Sequence, residues 1–595
     1  MLQPTNRLTL IDSMRPPPHY RFDAALAVTF TLDLAALLAA PAAFALAARD
    51  VDAADNAVQE PIELLHAVRS YSDQITVFSE CGSISLPPSR RVFSFLEGSI
   101  VPVRAPRHGV VHPKVWLLRY VADDDAAEVE SVMRVLISSR NLTFDDSWDT
   151  MIRLDETLLP GGIELEPIAE LFEGLTSSAL QPLGEVESQR VADLTADVRA
   201  RRFAVPAGID RLSLHVLGFD QPISLFPPTV ERSMVISPFL TDHVLNAVVP
   251  GPLEMLVSRQ ESLDALEPAT RDRIAEITTF DDQSAAEDEE QDGISGADPG
   301  RRLRGLHAKV FAFERDGRAQ VFLGSANATT AAFNANVEIL VELEASVDVL
   351  GIDRLIDGTG DELGLRNLLL AYTQREVEAE EVDAPGLDEM RRSIAGLEIR
   401  GVVEASGDDW AVTYRSQQPI VDDPAVSIWC WPLSTEGNRR KVPTGQPLEV
   451  RFETSIEAIS GFLAFELEST THLVTRFVVP VPLEGLPDER DRALMKSLIG
   501  NAERFFRYLL ALLDEGTAET GDTQRVVEQL GDDHHESSSA LPVLEKLLKT
   551  LRREPEKLNG VHPLVVDLAR DGVLPDGFAE LWDLLIGAGK LEVDR

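Results

Sequence analysis

The chain has 595 residues, a length that predicts about three or four domains of ordinary size. Hydrophobic residues make up 44% and charged residues 26%, which excludes wholesale disorder and fibrous proteins. The 99 acidic residues against 55 lysines and arginines give a formal net charge of −44, so any nucleic-acid contact needs a local basic site rather than a basic surface.

The first predicted element is a buried strand over 24–30, followed by a helix within the same apolar stretch. Asp33 and Pro41 interrupt that stretch, whereas a membrane-spanning helix needs about 20 apolar residues, so no span is predicted. The N-terminus lacks the charged start and short apolar run of a signal peptide. Cys81 and Cys430 are too few for a disulfide framework, which favours a cytoplasmic protein.

Lysine is rare in this chain, and its positions are informative. In the first 440 residues it occurs only at Lys114 and Lys309, in two His-x-Lys tripeptides that begin at His112 and His307. Lysine presents a compact point charge, whereas arginine presents a broad planar fork. The pattern therefore predicts two sites that only the compact ammonium group fits.

The surroundings of the two tripeptides also repeat. An apolar strand follows each tripeptide and leads to a Ser-x-Asn motif, and further short strands lie before and after in the same order. The predicted strands are 24–30, 75–78 and 151–154 in the first half, and 234–236, 254–257 and 339–343 in the second. Strand and helix alternate in this way in α/β folds, so 20–160 and 229–345 are predicted to be two copies of one unit.

His-x-Lys followed by Gly/Ser-Ser-x-Asn resembles the signature of the phospholipase D superfamily. The second half, from His307 to Glu338, is similar to a nearly complete copy of that signature. The first half departs from it, since Arg119 stands where the family often has an acidic residue and where the second half has Glu314. It also lacks the Asn-x-Glu that ends the second copy, and Asp149 stands in place of Glu338.

The resemblance implies an α/β fold of two pseudo-repeated phospholipase D-like sheets flanked by helices. Later strands at intervals of about 10–20 residues predict a small β-sandwich or barrel, and helical apolar spacing follows them. The predicted parts are a first half (1–165), a connecting segment (166–228), a second half (229–345), a helical connector (346–394), the β domain (395–484) and a C-terminal helical domain (485–595).

The predicted catalytic side chains are those that could bind and attack one phosphodiester. They are His112, Lys114, Ser139, Asn141, Asp149, His307, Lys309, Ser325, Asn327 and Glu338. Lysine would neutralise the non-bridging oxygens, and asparagine and serine would donate hydrogen bonds to them. One neutral imidazole can attack phosphorus to form a phosphohistidine, while the other, protonated, can give its proton to the leaving oxygen.

Carboxylates at Glu338 and Asp149 would fix the tautomers of the two histidines. The resemblance implies that His112 is the nucleophile and His307 the acid, but the more complete second motif leaves the reverse assignment open. No metal-ligand cluster is visible, so neither a metal nor another cofactor is expected.

Local arginines and one acidic run surround the motifs. The arginines, predicted to bind substrate unless they are ordinary solvated surface, are Arg104, Arg107, Arg301, Arg302 and Arg304. The acidic residues of 281–292 are Asp281, Asp282, Glu287, Asp288, Glu289, Glu290 and Asp292. They are predicted to restrain the site as a nucleic-acid mimic, and a solvated tether is the alternative.

The sequence thus predicts a metal-independent phosphodiesterase or nuclease that acts on DNA more readily than on RNA and does not bind a membrane. By resemblance it is similar to nucleases of bacterial anti-phage defence clusters, which implies a helicase or another defence-system subunit as partner. The alternatives are a catalytically weak phosphate-binding scaffold subunit of a nucleic-acid-processing complex and a cytoplasmic phospholipid phosphodiesterase.

Overall fold

The computed structural model has the mixed α/β architecture that the sequence predicts, with four β-sheets in its described part. It describes residues 10–47, 71–88, 91–123, 126–143, 147–219, 225–280, 305–358, 364–375, 385–407 and 409–499, and single positions between 562 and 582. None of the helices in these ranges is long and apolar enough to cross a bilayer.

The first sheet carries the first His-x-Lys tripeptide. Its strands are β1 (Tyr20–Thr29), β2 (Ile75–Glu80), β3 (Ile100–Val103), β4 (Val115–Ala122), β5 (Ser131–Ser138) and β6 (Met151–Asp155). Their order is β3-β2-β1-β4-β5-β6, parallel from β1 to β3 and antiparallel from β1 to β6. The last six residues of β1 are all buried, as expected of a strand covered on both faces.

The second sheet carries the second tripeptide. Its strands are β7 (Arg211–Leu217), β8 (Arg232–Ile236), β9 (Leu253–Ser258), β10 (Glu276–Phe280), β11 (Val310–Arg315), β12 (Arg318–Gly324), β13 (Glu338–Ser346) and β14 (Leu369–Ala371). Their order is β14-β10-β9-β8-β11-β12-β13-β7. From β10 to β13 the order and the strand directions match those of the first sheet.

The helices lie outside and between these sheets. They are α1 (Leu10–Met14), α2 (Leu34–Ala47), α3 (Glu166–Ser177), α4 (Glu185–Ala200), α5 (Gln260–Asp264), α6 (Pro268–Arg271), α7 (Thr330–Asn334), α8 (Val347–Leu350), α9 (Ile352–Asp357), α10 (Pro385–Ala395) and α11 (Arg490–Ile499). Short 3₁₀ turns lie at Ser72–Gln74, Arg91–Ser99, Leu365–Leu368, Glu436–Asn438 and Ile456–Ala458, and a π-helical turn at Val244–Val248.

The two large sheets share one apolar core. Leu26 and Val28 of β1 belong to this shared core, whereas Ala25 and Ala27 belong to the core on the opposite face, because side chains alternate along a strand. β8 and β11 to β13 contribute their own buried side chains to the shared core. β4 and β11 begin directly after the two His-x-Lys tripeptides, so the sheets place both tripeptides at equivalent strand ends.

Two predicted connectors contribute strands to the second sheet. β7 comes from the segment 166–228 and pairs with β13, and β14 comes from the segment 346–394 and pairs with β10. Each covers an edge strand, whose main-chain N–H and C=O groups lack partners on one side. The segment 346–394, predicted as a helical connector, thus carries the short strand β14 in addition to its helices.

The region after α10 consists of two four-stranded sheets around a separate core. Its strands are β15 (Ile399–Ser406), β16 (Asp409–Pro419), β17 (Val426–Pro432), β18 (Arg440–Val442), β19 (Pro447–Thr454), β20 (Phe462–Ser469), β21 (Val474–Pro480) and β22 (Leu483–Glu484). Their orders are β19-β16-β15-β22 and β18-β17-β20-β21. This is the arrangement of a β-sandwich. Beyond α11, most of the predicted helical domain 485–595 lies outside the described residues.

Candidate active site

The two His-x-Lys tripeptides meet because each is hydrogen-bonded to the opposite half of the molecule. The main-chain N–H of His112 donates to the carbonyl of Val337 at 3.0 Å, and that of His307 donates to the carbonyl of Trp148 at 2.8 Å. Gly109 permits the close approach, since a Cβ there would lie 2.3 Å from the carbonyl oxygen of Ala335. The two halves therefore form one site between them.

His112 is oriented by a carboxylate of the other half. Its Nδ1 lies 2.9 Å from Oε2 of Glu338, and both side chains are largely buried. The Ser325 hydroxyl and the Asn336 amide also donate to this carboxylate. With Nδ1–H donating to Glu338, Nε2 of neutral His112 carries the lone pair.

The ionised form of Glu338 is the stable one in this setting. Burial raises its pKa, but His112, Lys114 and the Ser325 hydroxyl together hold the pKa below its usual value. An ionised Glu338 can therefore stabilise positive charge that develops on His112 during a reaction.

His307 is oriented by a main-chain carbonyl rather than by a carboxylate. Its Nδ1 lies 2.9 Å from the carbonyl oxygen of Ser139. Asp149 occupies the position that corresponds to Glu338, since Ser139 pairs with Thr150 as Ser325 pairs with the residue after Glu338. The Ser139 carbonyl is thus one partner of His307, and the predicted role of Asp149 in fixing a histidine tautomer stays a prediction.

Both lysines of the tripeptides are buried. Lys114 is 3% exposed and Lys309 is fully buried, and each ammonium group donates to the carbonyl oxygen of the histidine in its own tripeptide. Burial, and then Lys309, lowers the pKa of Lys114 well below its usual value. An anion bound beside two such ammonium groups would be strongly favoured.

Both imidazoles are neutral near pH 7. Burial, reinforced by Lys114 and opposed by Glu338, lowers the pKa of His112 to about 4. Burial and then Lys309 lower the pKa of His307 far below its usual value, and Lys114, Arg259 and His112 lower it further. The contacts of His112 with Glu338 and of His307 with the Ser139 carbonyl, both between the two halves, place the two half-sites next to each other.

The two asparagines differ in their partners. Oδ1 of Asn141 accepts from the main-chain N–H of Thr31 at 3.4 Å. Oδ1 of Asn327 is buried and has no hydrogen-bond partner among the described residues. Buried polar atoms are normally satisfied, so an unpaired amide oxygen is typical of a group that accepts a hydrogen bond from a ligand.

The two serines hold the strands rather than face the lysines. Oγ of Ser139 accepts from the main-chain N–H of Thr150 at 2.9 Å, and Oγ of Ser325 accepts from that of Ile339 at 3.0 Å. Ser325 also donates to Glu338. Their predicted role as direct phosphate donors is therefore replaced by a positioning role.

The substrate-binding arginines are only partly described. A guanidinium nitrogen of Arg104 lies 3.4 Å from the carbonyl oxygen of Arg392 on α10, and Arg107 is partly buried. Arg301, Arg302 and Arg304, and the acidic run 281–292, lie outside the described residues. Their predicted roles stay predictions.

Two aromatic residues and one arginine near the site were missed by the sequence patterns. The Phe30 ring lies 5.4 Å from the His112 ring and 5.9 Å from Nζ of Lys114. Arg259 donates to the carbonyl of the residue before His307, at 3.0 and 2.8 Å, and stacks over Phe239 at 5.1 Å. Their position just after β1, β8 and β9 was the available signal, because ligands bind at the carboxyl ends of parallel strands.

No group of three or more metal-ligating side chains occurs within the described ranges. The site offers two imidazoles and two ammonium groups. In chemical terms this set can bind an anion, attack it with a nitrogen nucleophile and transfer a proton to it.

The sequence matches no protein-family model and no curated protein. Among solved structures, a mutant of yeast tyrosyl-DNA phosphodiesterase is similar with 11% identity and a TM-score of 0.29, over 56% of this chain and 84% of that one. A second mutant of the yeast enzyme gives 12% and 0.30, over 56% and 85%. Polyphosphate kinase from Porphyromonas gingivalis gives 13% and 0.26, over 64% and 50%.

Proposed function

We propose that this chain is a metal-independent phosphodiesterase that cleaves nucleic acid, DNA in preference to RNA, through a phosphohistidine intermediate. In this proposal two phospholipase D-like units, 1–165 and 229–345, each supply one His-x-Lys half-site. The observation that carries it is the contact of His112 with Glu338 across the two halves, beside two buried lysines. A structural role requires neither two imidazoles within electrostatic reach of each other nor the lysines beside them.

In the first step, Nε2 of His112 attacks phosphorus while the bond to the leaving oxygen breaks. Glu338 stabilises the positive charge that develops on the imidazole, and Lys114 and Lys309 neutralise the non-bridging oxygens. Protonated His307 gives its proton to the leaving oxygen. The products are a free hydroxyl-ended strand and a phosphohistidine on His112.

In the second step, neutral His307 accepts a proton from water as the water oxygen attacks phosphorus. The bond between phosphorus and His112 breaks, and the imidazole leaves as the neutral base it was at the start. His307 is protonated again, so one cycle consumes one phosphodiester and one water molecule.

The first step needs His307 in its protonated form, although the site lowers its pKa. Lys309 and Lys114 cause much of that lowering after burial does. A bound phosphodiester carries a negative charge that offsets both ammonium groups, so substrate binding raises the pKa of His307. Proton uptake is thereby coupled to binding of the correct anion.

The wider setting of the proposal comes from sequence and resemblance alone. It comprises a cytoplasmic nuclease of a bacterial anti-phage defence system, with a helicase or another subunit of that system as partner. The proposal that the acidic run 281–292 restrains the site also comes from the sequence alone.

The test is hydrolysis of fluorescent DNA, RNA and phospholipid in excess EDTA. We expect cleavage of nucleic acid by the parent, and a loss of about 10²–10⁴-fold in kcat for His112→Ala and for His307→Ala. Lys309→Arg is expected to lose activity as well, because the guanidinium fork is broader than the ammonium group. The matched control is His215→Ala, since His215 makes the same kind of contact with Glu342, at 2.8 Å, away from the site.

A p-nitrophenyl phosphodiester separates the two histidine roles, because its leaving group needs no proton. His307→Ala should still release about one equivalent of p-nitrophenol in a rapid burst, whereas His112→Ala should give no burst. A burst in His112→Ala and none in His307→Ala would reverse the two roles. Strict magnesium dependence with both variants active, or cleavage of phospholipid alone, would contradict the proposal.

A further inference from the structure

One face of the β-sandwich carries a basic and aromatic cluster, which we call the Trp429 patch. It consists of Trp429, Arg439, Lys441, Glu466 and Arg476. Four of these residues form one row across the sheet, since Lys441 pairs with Trp429, Trp429 with Glu466 and Glu466 with Arg476. Facing positions on adjacent strands place side chains on the same side of the sheet.

Two of the three cations of the patch share one carboxylate. Glu466 is only 6% exposed and contacts both Arg439 and Arg476, while the two arginine side chains are 39% and 54% exposed. Lys441 is exposed and lies 5.6 Å above the Trp429 ring, and the described residues include no carboxylate in ion-pair contact with it. In a chain of net charge −44, this is a local positive surface.

Arg439 is held in a fixed orientation. Its guanidinium carbon lies 4.8 Å from the Trp429 ring and 5.5 Å from the Trp431 ring, and Glu466 accepts from one of its nitrogens. A stacked guanidinium loses less conformational freedom when it binds a phosphate, and its plane is a surface on which an unpaired base can stack. Both properties suit the recognition of a single nucleic-acid strand.

A series of isolated β-bridges connects the edge of the patch to the loop that carries Asn141. Leu142, next to Asn141, bridges to Leu32, Leu32 bridges to Ile84, and Ile84 bridges to Val478 of β21. At about 4.8 Å between neighbouring strands, the three bridges span roughly 15 Å from Leu142 to Val478. Val478 is two residues from Arg476 and therefore on the same face of the sheet.

The exposed row adjoins a covered row. Trp431, Ala464 and Val478 face one another across β17, β20 and β21 and are buried in the core that also holds residues of the first sheet. The Trp429 patch lies on the same face of this sheet, next to the row that is covered by residues of the first sheet. It therefore borders the junction between the sandwich and the half of the molecule that carries His112.

We propose that the Trp429 patch is a second binding site, which holds the phosphate backbone of a single-stranded nucleic acid whose scissile bond lies at His112 and His307. This rests on the proposed function for the identity of the substrate. A narrow strand can contact the patch alone, whereas an anionic bilayer is a plane that would also meet other surface of a chain whose net charge is −44. The observations therefore favour a strand over a membrane.

The first test measures binding of a fluorescein-labelled 20-nucleotide single-stranded DNA by anisotropy, with the full chain in EDTA and a His112→Ala background. Lys441→Gln with Arg476→Gln should weaken binding about tenfold near 0.1 M salt and lower the salt slope by about 1.4, two single-strand contacts at about 0.7 each. The matched control is Arg415→Gln with Arg451→Gln, two exposed arginines on the other sheet of the sandwich, which should change neither quantity.

The second test measures cleavage by chains that retain His112, with a 20-nucleotide and a 4-nucleotide substrate. The patch variant should raise KM for the long substrate about tenfold and leave kcat and the short substrate unchanged, because the patch does not touch the reacting atoms. If no chain cleaves either substrate, the proposed function fails, while the binding test still decides the patch. Equal binding by patch variant and control would overturn the inference. The inference would also be overturned if the patch variant weakened binding of duplex DNA as much as binding of single-stranded DNA. The same holds if the patch variant weakened binding only to phosphatidylserine vesicles.

Discussion

Glu80 links the first sheet to the active site through a single side chain. Its carboxylate accepts from the main-chain N–H of Val111 at 2.8 Å, one residue before His112. Glu80 is 4% exposed, and burial raises its pKa to about 7 despite that hydrogen bond and despite Arg392, Arg104 and Arg391. A carboxylate that titrates near neutral pH therefore holds the backbone beside the first His-x-Lys tripeptide.

The elevated pKa of Glu80 predicts a pH-dependent stability. The protonated form is favoured in the folded state, so this group's contribution is fully present below about pH 4.5 and is lost as pH rises through about 7. Glu80→Gln removes that titration and keeps the acceptor for Val111. We expect the variant to equal the parent at pH 4.5 and to exceed it by up to about 3 kcal/mol at pH 8 in urea unfolding.

Urea unfolding over a pH series measures this difference directly. The control is Glu449→Gln, an exposed carboxylate of the sandwich in contact with Arg415, which should show little difference at any pH. A Glu80→Gln variant that is less stable than the parent at pH 8 would mean that the arginines, and not burial, have the larger effect on the pKa of Glu80.

At the scale of elements, the two halves use the same cross-strand ion pair with the signs reversed. Glu314 on β11 contacts Arg232 on β8 at 2.9 Å, and Arg119 on β4 contacts Asp23 on β1 at 2.6 Å. β4 and β11 hold the same place in their sheets, so Arg119 is not a lost catalytic acid. Arg119 is the cation of an ion pair that is structurally equivalent to the pair of Glu314 with Arg232.

Glu314 is therefore predicted to stabilise the fold without a part in catalysis. It is buried and also accepts from the main-chain N–H of Ile352. Glu314→Gln should lower the free energy of unfolding by about 2 kcal/mol and leave kcat unchanged. The control is Arg318→Gln, which removes an exposed pair with Asp210 and should cost less than about 1 kcal/mol. A hundredfold loss of kcat at unchanged stability would give Glu314 a catalytic role.

The sequence predicted the strands around each motif well, because apolar runs and the His-x-Lys spacing are local signals. It could not predict that Glu338 serves His112 rather than His307 of its own half, since that contact depends on how two sheets meet. The contact of His307 with the main-chain carbonyl of Ser139 was likewise invisible, because a carbonyl leaves no mark in a side-chain pattern. β14 was missed because three residues at a sheet edge are too short for a periodic signal.

At the scale of the whole molecule, the active site depends on one shared core. Leu117 of β4 and Val310 of β11 are fully buried in it, together with residues of α3 and α4. The two tripeptides follow the geometry of that core, since β4 and β11 begin at the residues directly after their lysines. Loss of packing in one half should therefore also destabilise the other half.

This coupling predicts that the two large sheets unfold as one unit. Leu117→Ala should lower the free energy of unfolding by about 2–5 kcal/mol and reduce the protection of the slowest-exchanging amides in β8 and β11 as much as in β1 and β4. Hydrogen exchange read by mass spectrometry on peptides of both sheets measures this. The control is Leu467→Ala in the separate core of the sandwich, which should reduce protection there first. If Leu117→Ala exposed only the first sheet, each half would be an independent folding unit. The contact of His112 with Glu338 would then be a docking contact between separately stable parts.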